Sequence, residues 1–440
     1  MNILMRYVLS ALILIVIPAS LSARVIEVRS ALGTDILEAN KPQRAFLKVS
    51  LKGFPIDNPQ ERPPLNIAIV LDRSGSMAGD KLARAKEAAI MAINRLSKED
   101  IVSVVTYDSV INVIVPATKI TDKASINRII SKITSGGSTA LFAGVTKGAQ
   151  EVRKFIADNQ VNRVVLISDG QANIGPQSPK ELGALGVALS KEGMSVTTIG
   201  LGLGYNEDLM AALAGYSDGN HAFVEKASDL VRIFDLEFGD AFSVVAKDVS
   251  IEIHCQNGVK PLRILGREGD IIGSTVKMRL NQLYGEQEKF VLIEVSVPSV
   301  KAGRAHELAS VDVSYLNLQE NQTQIVSDSV NVRYSSSQPE VIASKNKEVL
   351  ESSVQQIAIE KKKQAIDLRD KGDVSGAKRL LEDTAQYIQQ NAASLGSSGL
   401  LKEALEAKED ADALEDEADW NRQRKSLKAR SYKLEKQQRY

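Results

Sequence analysis

The spacing of apolar and polar positions changes three times along the chain. In residues 24–60 it has period two: Leu47, Val49 and Leu51 alternate with Lys48, Ser50 and Lys52, as in a strand with one buried face. Asp57-Asn58-Pro59 through Pro63-Pro64 reads as a linker. From residue 65 to about 238, short continuous apolar runs alternate with helical patterns. Strands are predicted at 65–72, 101–107, 111–115, 164–168 and 195–200. A helix follows the first strand, with Leu82, Ala85, Ala89, Ile93 and Leu96 on one face, and others are predicted near 123–133, 141–156, 179–191 and 227–237. This alternation predicts a doubly wound α/β sheet.

From Asp240 the period is two again. Val249, Ile251, Ile253 and Cys255 alternate with Ser250, Glu252 and His254, and further strands are predicted at 290–297, 309–315 and 330–334. This is an antiparallel region of sandwich type. Two lone strands at the N-terminus are not stable by themselves, so residues 24–62 are expected to complete that sandwich. The α/β domain, 63–238, is then an insertion ahead of the sandwich segment 239–336. Residues 337–440 turn helical. Leu350, Val354 and Ile357 start one stripe, continued by Ala365 and Leu368; Gly372 breaks it, and Ala377, Leu380, Leu381, Ala385 and Ile388 form the next. The turn around Gly372 resembles a single tetratricopeptide-type helix turn, too little for a superhelix. After Gly396-Ser-Ser-Gly399 comes a third helix, acidic from Glu403 to Asp419 and basic from Arg422 to Arg439. Its basic half is expected to be a solvated helix, because its charges are spread around the helix rather than confined to a face, with docking on anionic lipid or an acidic partner as the alternative.

Composition narrows the compartment and the partners. The 55 basic and 55 acidic residues cancel, which supports neither nucleic-acid binding nor bulk membrane attraction. One cysteine and three histidines rule out an internal disulfide and argue against a zinc cluster. Residues 1–23 have Arg6, the apolar run 8–17, and small residues at Ala19, Ser20, Ser22 and Ala23, the layout of a secretory signal peptide. An exported, periplasmic or extracellular protein is expected, with an uncleaved membrane anchor as the alternative.

The candidate chemistry lies where the first apolar strand ends. Asp72, Ser74 and Ser76 follow Leu65–Leu71 at alternate positions, beyond the carboxyl end of a strand, where open parallel sheets bind ligands. Their oxygens are hard donors suited to Mg²⁺, Mn²⁺ or Ca²⁺, although turns favour the same residues. Two other stretches join them. Ser135-Gly136-Gly137-Ser138-Thr139 opens a helix, and Val164–Ser168 is a second apolar strand ending in Asp169-Gly170. Together these three stretches resemble the von Willebrand factor A domain and its metal-ion-dependent adhesion site, over roughly residues 63–236. The wider layout resembles bacterial exported proteins of this type and the inter-α-trypsin inhibitor heavy chains.

The resemblance implies that Ser74, Ser76 and Thr139 bind a divalent ion, Mg²⁺ foremost, through their hydroxyls. Asp72 and Asp169 would bind it directly or through water, and Gly75, Gly136, Gly137 and Gly170 would shape the supporting loops. Neutral hydroxyls leave such an ion under-neutralised, so that it attracts an Asp or Glu of a protein partner. The expected function is non-enzymatic adhesion or complex assembly. One rival is an accessory subunit of a membrane or secretion assembly, held by the helical tail; another is a phosphohydrolase with Asp72 as nucleophile. In related integrin domains the last helix shifts on ligand capture, and the helix near 227–237 runs directly into the β region. Other motifs are set aside. His306-Glu307 lacks the second histidine of a zinc protease, Gly200–Gly204 has the wrong spacing for a dinucleotide loop, and Cys255 reads as a buried thiol. Asn321-Gln-Thr323 matches a glycosylation acceptor only in an organism that performs that chemistry.

Overall fold

The computed structural model describes residues 24–56, 62–414 and 419–438. The segment read as a signal peptide, 1–23, lies outside the described residues, as does most of the linker. The chain opens with β1 (Ile26–Leu32), β2 (Ile36–Glu38) and β3 (Gln43–Gly53). The α/β domain follows as β4 (Leu65–Asp72), α1 (Asp80–Arg95), β5 (Ile101–Tyr107), β6 (Ile111–Lys119), α2 (Lys123–Ser131), α3 (Leu141–Arg153) and β7 (Val161–Ser168). It continues through α4 (Pro179–Lys191), β8 (Met194–Leu201), α5 (Glu207–Tyr216), β9 (His221–Val224) and α6 (Leu230–Phe242). Its sheet has the order β6-β5-β4-β7-β8-β9, with only β6 antiparallel to its neighbour.

Every residue of β4, β5, β7 and β8 is buried, because helices cover both faces of the sheet. Leu65, Ile67, Ile69 and Leu71 face α1, α2 and α6, whereas Ala68 and Val70 face α3, α4 and α5. The sequence reading missed α5 and β9. The α5 segment, EDLMAALAGY, is apolar around much of its circumference and gives little helical contrast, and β9 has only four residues.

The strands flanking this domain share sheets. After α6 come β10 (Val244–Cys255), β11 (Lys260–Leu265), β12 (Asp270–Ile272), β13 (Thr275–Tyr284), β14 (Glu288–Val297), β15 (His306–Asn317) and β16 (Gln322–Ser335). One sheet is β1-β3-β14-β11 and the other β12-β13-β10-β15-β16-β2. β3 pairs with β14 from Gln43↔Val297 to Lys52↔Glu288, so the chain before the α/β domain is completed by strands after it. Alternate residues of β10, namely Val249, Ile251, Ile253 and Cys255, enter one core with Leu47, Val49 and Leu51 of β3. His306 and Glu307 lie on β15, a strand, which accords with rejecting a zinc-protease helix.

The tail consists of α7 (Gln338–Ala343), α8 (Lys347–Asp370), α9 (Val374–Leu395), α10 (Ser398–Ala413) and α11 (Trp420–Glu435). Helices α8, α9 and α10 pack together, and Val349 and Ile357 of α8 cover Leu265, Leu292 and Phe46 on the outer face of the four-stranded sheet. No helix among the described residues is long and apolar enough to cross a membrane.

The reading of the basic segment as a solvated helix is corrected. Helix α11 lies against α5 and β9 of the α/β domain. Arg424 pairs with Glu207, Asp208 and Asp370, Lys425 with Glu207, and Lys428 with Asp208. Tyr432 donates to the Gly219 carbonyl at 2.7 Å. Burial alone would raise the Asp208 carboxyl, but Lys428 and Arg424 hold it below the usual carboxylate range. Glu207 and Asp208 are more than 200 residues from these cations in sequence, and Asp370, on α8, is 54 residues from Arg424, so helical spacing could not show them.

A second polar cluster joins the α/β domain to the sandwich. Arg163 of β7 and Glu237 of α6 form an ion pair at 2.6 Å, with both side chains fully buried. Arg163 also donates to Gln282 (2.5 Å) and Tyr284 (2.8 Å) on β13; Glu237 accepts from Thr197 and, at 2.8 Å, from Asn220. Glu237→Leu leaves the guanidinium buried without its counter-charge and should cost about 3–5 kcal/mol. Chemical unfolding should show this, and Arg163→Met with Glu237→Leu should cost less than the single change.

His221 lies beneath α11, with its ring 5.6 Å from that of Tyr432. Burial pushes its pKa from 6.5 to about 4, with Glu207 opposing and Lys425 adding to the shift. The unfolded chain therefore takes up this proton first. Stability should fall on acidification from about 6.5 to about 4, and His221→Gln should flatten the melting temperature over that window.

Candidate metal centre

Asp72 is the last residue of the central strand β4, and its carboxylate organises the turn that follows. Its Oδ1 accepts from the Ser74 amide at 2.8 Å and its Oδ2 from the Ser168 hydroxyl of β7 at 2.6 Å. The chain then makes one short 3₁₀ turn, Gly75–Met77, which sets Ser74 and Ser76 side by side with their hydroxyl oxygens 3.1 Å apart. The Ser76 hydroxyl donates to Asp169 Oδ1 at 2.8 Å, so residues from the ends of two adjacent strands meet.

The Gly-Gly loop closes over this turn. Gly136 N–H donates to the Arg73 carbonyl (2.8 Å) and Gly75 N–H to the Gly137 carbonyl (3.1 Å). Gly137 has φ +78°, and a Cβ there would lie 3.0 Å from the Asp108 carboxylate carbon, so this position requires glycine. Asp108 in turn pairs with Arg73 at 2.7 Å. Thr139 is held by its backbone: its amide donates to Asn173 Oδ1 (2.8 Å), and its carbonyl accepts from Asn173 N–H (3.1 Å). A Cβ on Gly170 would lie 3.1 Å from Thr139 Oγ1 and 3.4 Å from Ser76 Oγ, so those hydroxyls converge over a glycine that leaves them room. Gly75 and Gly136 have space for a Cβ and are not sterically required.

All five candidate ligands, Asp72, Ser74, Ser76, Thr139 and Asp169, are thus brought to one end of the sheet. Asp72, Ser74, Thr139 and Asp169 are buried, and Ser76 is exposed at the mouth. Among the described residues no group of three His, Cys, Asp or Glu side chains is set up to hold a metal. A site here therefore depends on hydroxyls beside two carboxylates. The donor set fits a hard divalent cation. Burial raises the Asp72 carboxyl above its ordinary value, Ser168 and Ser74 oppose the shift, and the nearby Asp169 charge adds to it. A bound cation relieves both the burial and the repulsion.

Several neighbours of the site were not singled out in the sequence. Ser168, Arg73, Asp108 and Asn173 hold its loops, and Lys81, from the first turn of α1, forms an ion pair with Asp169 Oδ2. One signal did point to Lys81, since a cation in a first helical turn opposes the helix dipole. The loop 200–204, read as a plain loop, abuts the site: a Cβ on Gly204 would lie 2.8 Å from the Asp169 carbonyl oxygen.

Residues 66–235 match the von Willebrand factor type A domain family. An uncharacterised protein of Synechocystis, sll0103, is 28% identical over 283 residues, covering 62% of this chain and 66% of that one. Inter-alpha-trypsin inhibitor heavy chain H3 of Pongo abelii is 28% identical over 135 residues, 28% of this chain and 15% of its own length. The chain thus matches at most about two thirds of these curated relatives. The structure of a von Willebrand factor type A protein from Catenulispora acidiphila has the same fold, with a TM-score of 0.67 at 14% identity. That match covers 85% of this chain and 88% of the other. Domains of this family are in general non-enzymatic modules for protein–protein interaction or adhesion. The chain carries a von Willebrand factor type A domain, set within the β-sandwich and followed by helices.

Proposed function

We propose that this is an exported, non-enzymatic binding protein that captures an acidic group of a protein partner through a divalent cation, Mg²⁺ foremost, at the mouth of the type A domain. The observation that carries this reading is the meeting of Ser74, Ser76 and Thr139 with Asp72 and Asp169 at the carboxyl end of the sheet. When bound, the ion supplies an open coordination position for the partner's Asp or Glu. The chain's own part is to hold the donors. Asp72 is fixed by Ser168 and Ser74, and Thr139 by Asn173. Export rests on the character of residues 1–23. The same fixing of Asp72 argues against a nucleophilic role, because both its oxygens accept hydrogen bonds and the residue is buried.

Thr139→Ala removes one donor and spares the backbone bonds that hold the loop. Mg²⁺ affinity by calorimetry should fall about tenfold or more, while the melting temperature in EDTA stays unchanged. In a pull-down from an extracytoplasmic extract, partner capture should require Mg²⁺ and be lost in EDTA and with the Thr139→Ala bait. Equal capture in all three conditions would place the binding surface on the sandwich or the tail instead.

A further inference from the structure

Lys81 is oddly placed for a lysine. The N-terminal turn of α1 presents unpaired amides and a partial positive charge, which disfavours an ammonium there. Its Nζ nevertheless forms an ion pair with Asp169 Oδ2 and donates to the Ser76 carbonyl at 3.4 Å. The end of its side chain runs past the 200–204 loop, where a Cβ on Gly202 would lie 3.6 Å from Lys81 Cε. The Lys81 side chain is 35% exposed, whereas that of Asp169 is fully buried. A cation is thus held at the mouth of the site against the local dipole, with a path to water beside it.

We propose that Lys81 is a built-in counter-cation, which holds Asp169 when no metal is bound and competes with a divalent ion for that carboxylate. This rests on reading the site as a divalent-cation site. Asp72 and Asp169 together carry two negative charges, and the ammonium cancels one of them. An incoming ion then meets one net negative charge and must share Asp169 or push the ammonium toward solvent. The first consequence is a weaker, readily exchanged metal. The second is that the loaded site keeps an excess positive charge, which favours capture of an outside carboxylate.

The test is a titration of the purified full chain with MgCl₂ and MnCl₂ by calorimetry, comparing wild type, Lys81→Met and Lys81→Arg. Methionine keeps the length of the stem and removes the charge, whereas arginine keeps the charge. Lys81→Met should bind both ions about tenfold more tightly, and Lys81→Arg should stay near wild type. The rise in melting temperature from EDTA to saturating Mg²⁺ should also be larger in Lys81→Met, whose metal-free form leaves Asp169 without its cation. Equal or weaker binding by Lys81→Met would overturn the role given to Lys81 and leave the metal site standing. Absence of Mg²⁺ and Mn²⁺ binding in all three proteins would overturn the metal site and this inference together.

Discussion

The architecture depends on one buried pair of charges. Arg163 and Glu237 lie where β7, α6 and the sandwich strand β13 meet, and neither side chain has any exposed surface. A charge so far from water is tolerable only with its counter-charge and hydrogen-bond partners in place, so the cluster penalises any arrangement of the two domains that separates them. It also anchors α6. Thr197 and Asn220 hold the same Glu237 carboxylate, so sliding α6 along its axis would break a buried pair.

The candidate metal centre shows the same economy at the opposite end of the sheet. Its two carboxylates are already engaged by the chain, Asp72 by Ser74 and Ser168, Asp169 by Ser76 and Lys81. The hydroxyls of Ser74 and Ser76 bond each other, and each hydroxyl oxygen keeps a lone pair it can offer to a cation. The β8–α5 loop abuts the site at Gly204, where a Cβ would lie 2.8 Å from the Asp169 carbonyl oxygen, and the tail bonds the same loop: Asn421 donates to the Leu203 carbonyl at 3.2 Å and Lys425 to the Tyr205 carbonyl at 2.7 Å. The C-terminal helix thus touches the same loop that borders the site.

Much of this was legible in the sequence because it is local. Continuous apolar runs ending in Asp72 and Ser168-Asp169 marked buried parallel strands and the end of the sheet where a site forms. Period-two alternation at Leu47–Leu51 and Val249–Cys255 marked a sandwich with one core. The hydroxyl and glycine motif named all five candidate ligands, and their spacing along the chain sufficed because short turns after strands set their geometry.

What the sequence left open was long-range pairing. That Arg163 is buried, that Lys81 faces Asp169, and that Arg424, Lys425 and Lys428 are spent on Glu207 and Asp208 follow only from which surfaces the fold brings together. An isolated charged residue has the same appearance in a sequence whether it meets water or an opposite charge 200 residues away. Period and motif report the environment within a turn or a strand, so the sequence determined most of the elements, the two-layer sandwich and which hydroxyls and carboxylates meet at the end of the sheet. Tertiary structure alone decided which charges are neutralised, and through them how the site, the sandwich and the tail are joined.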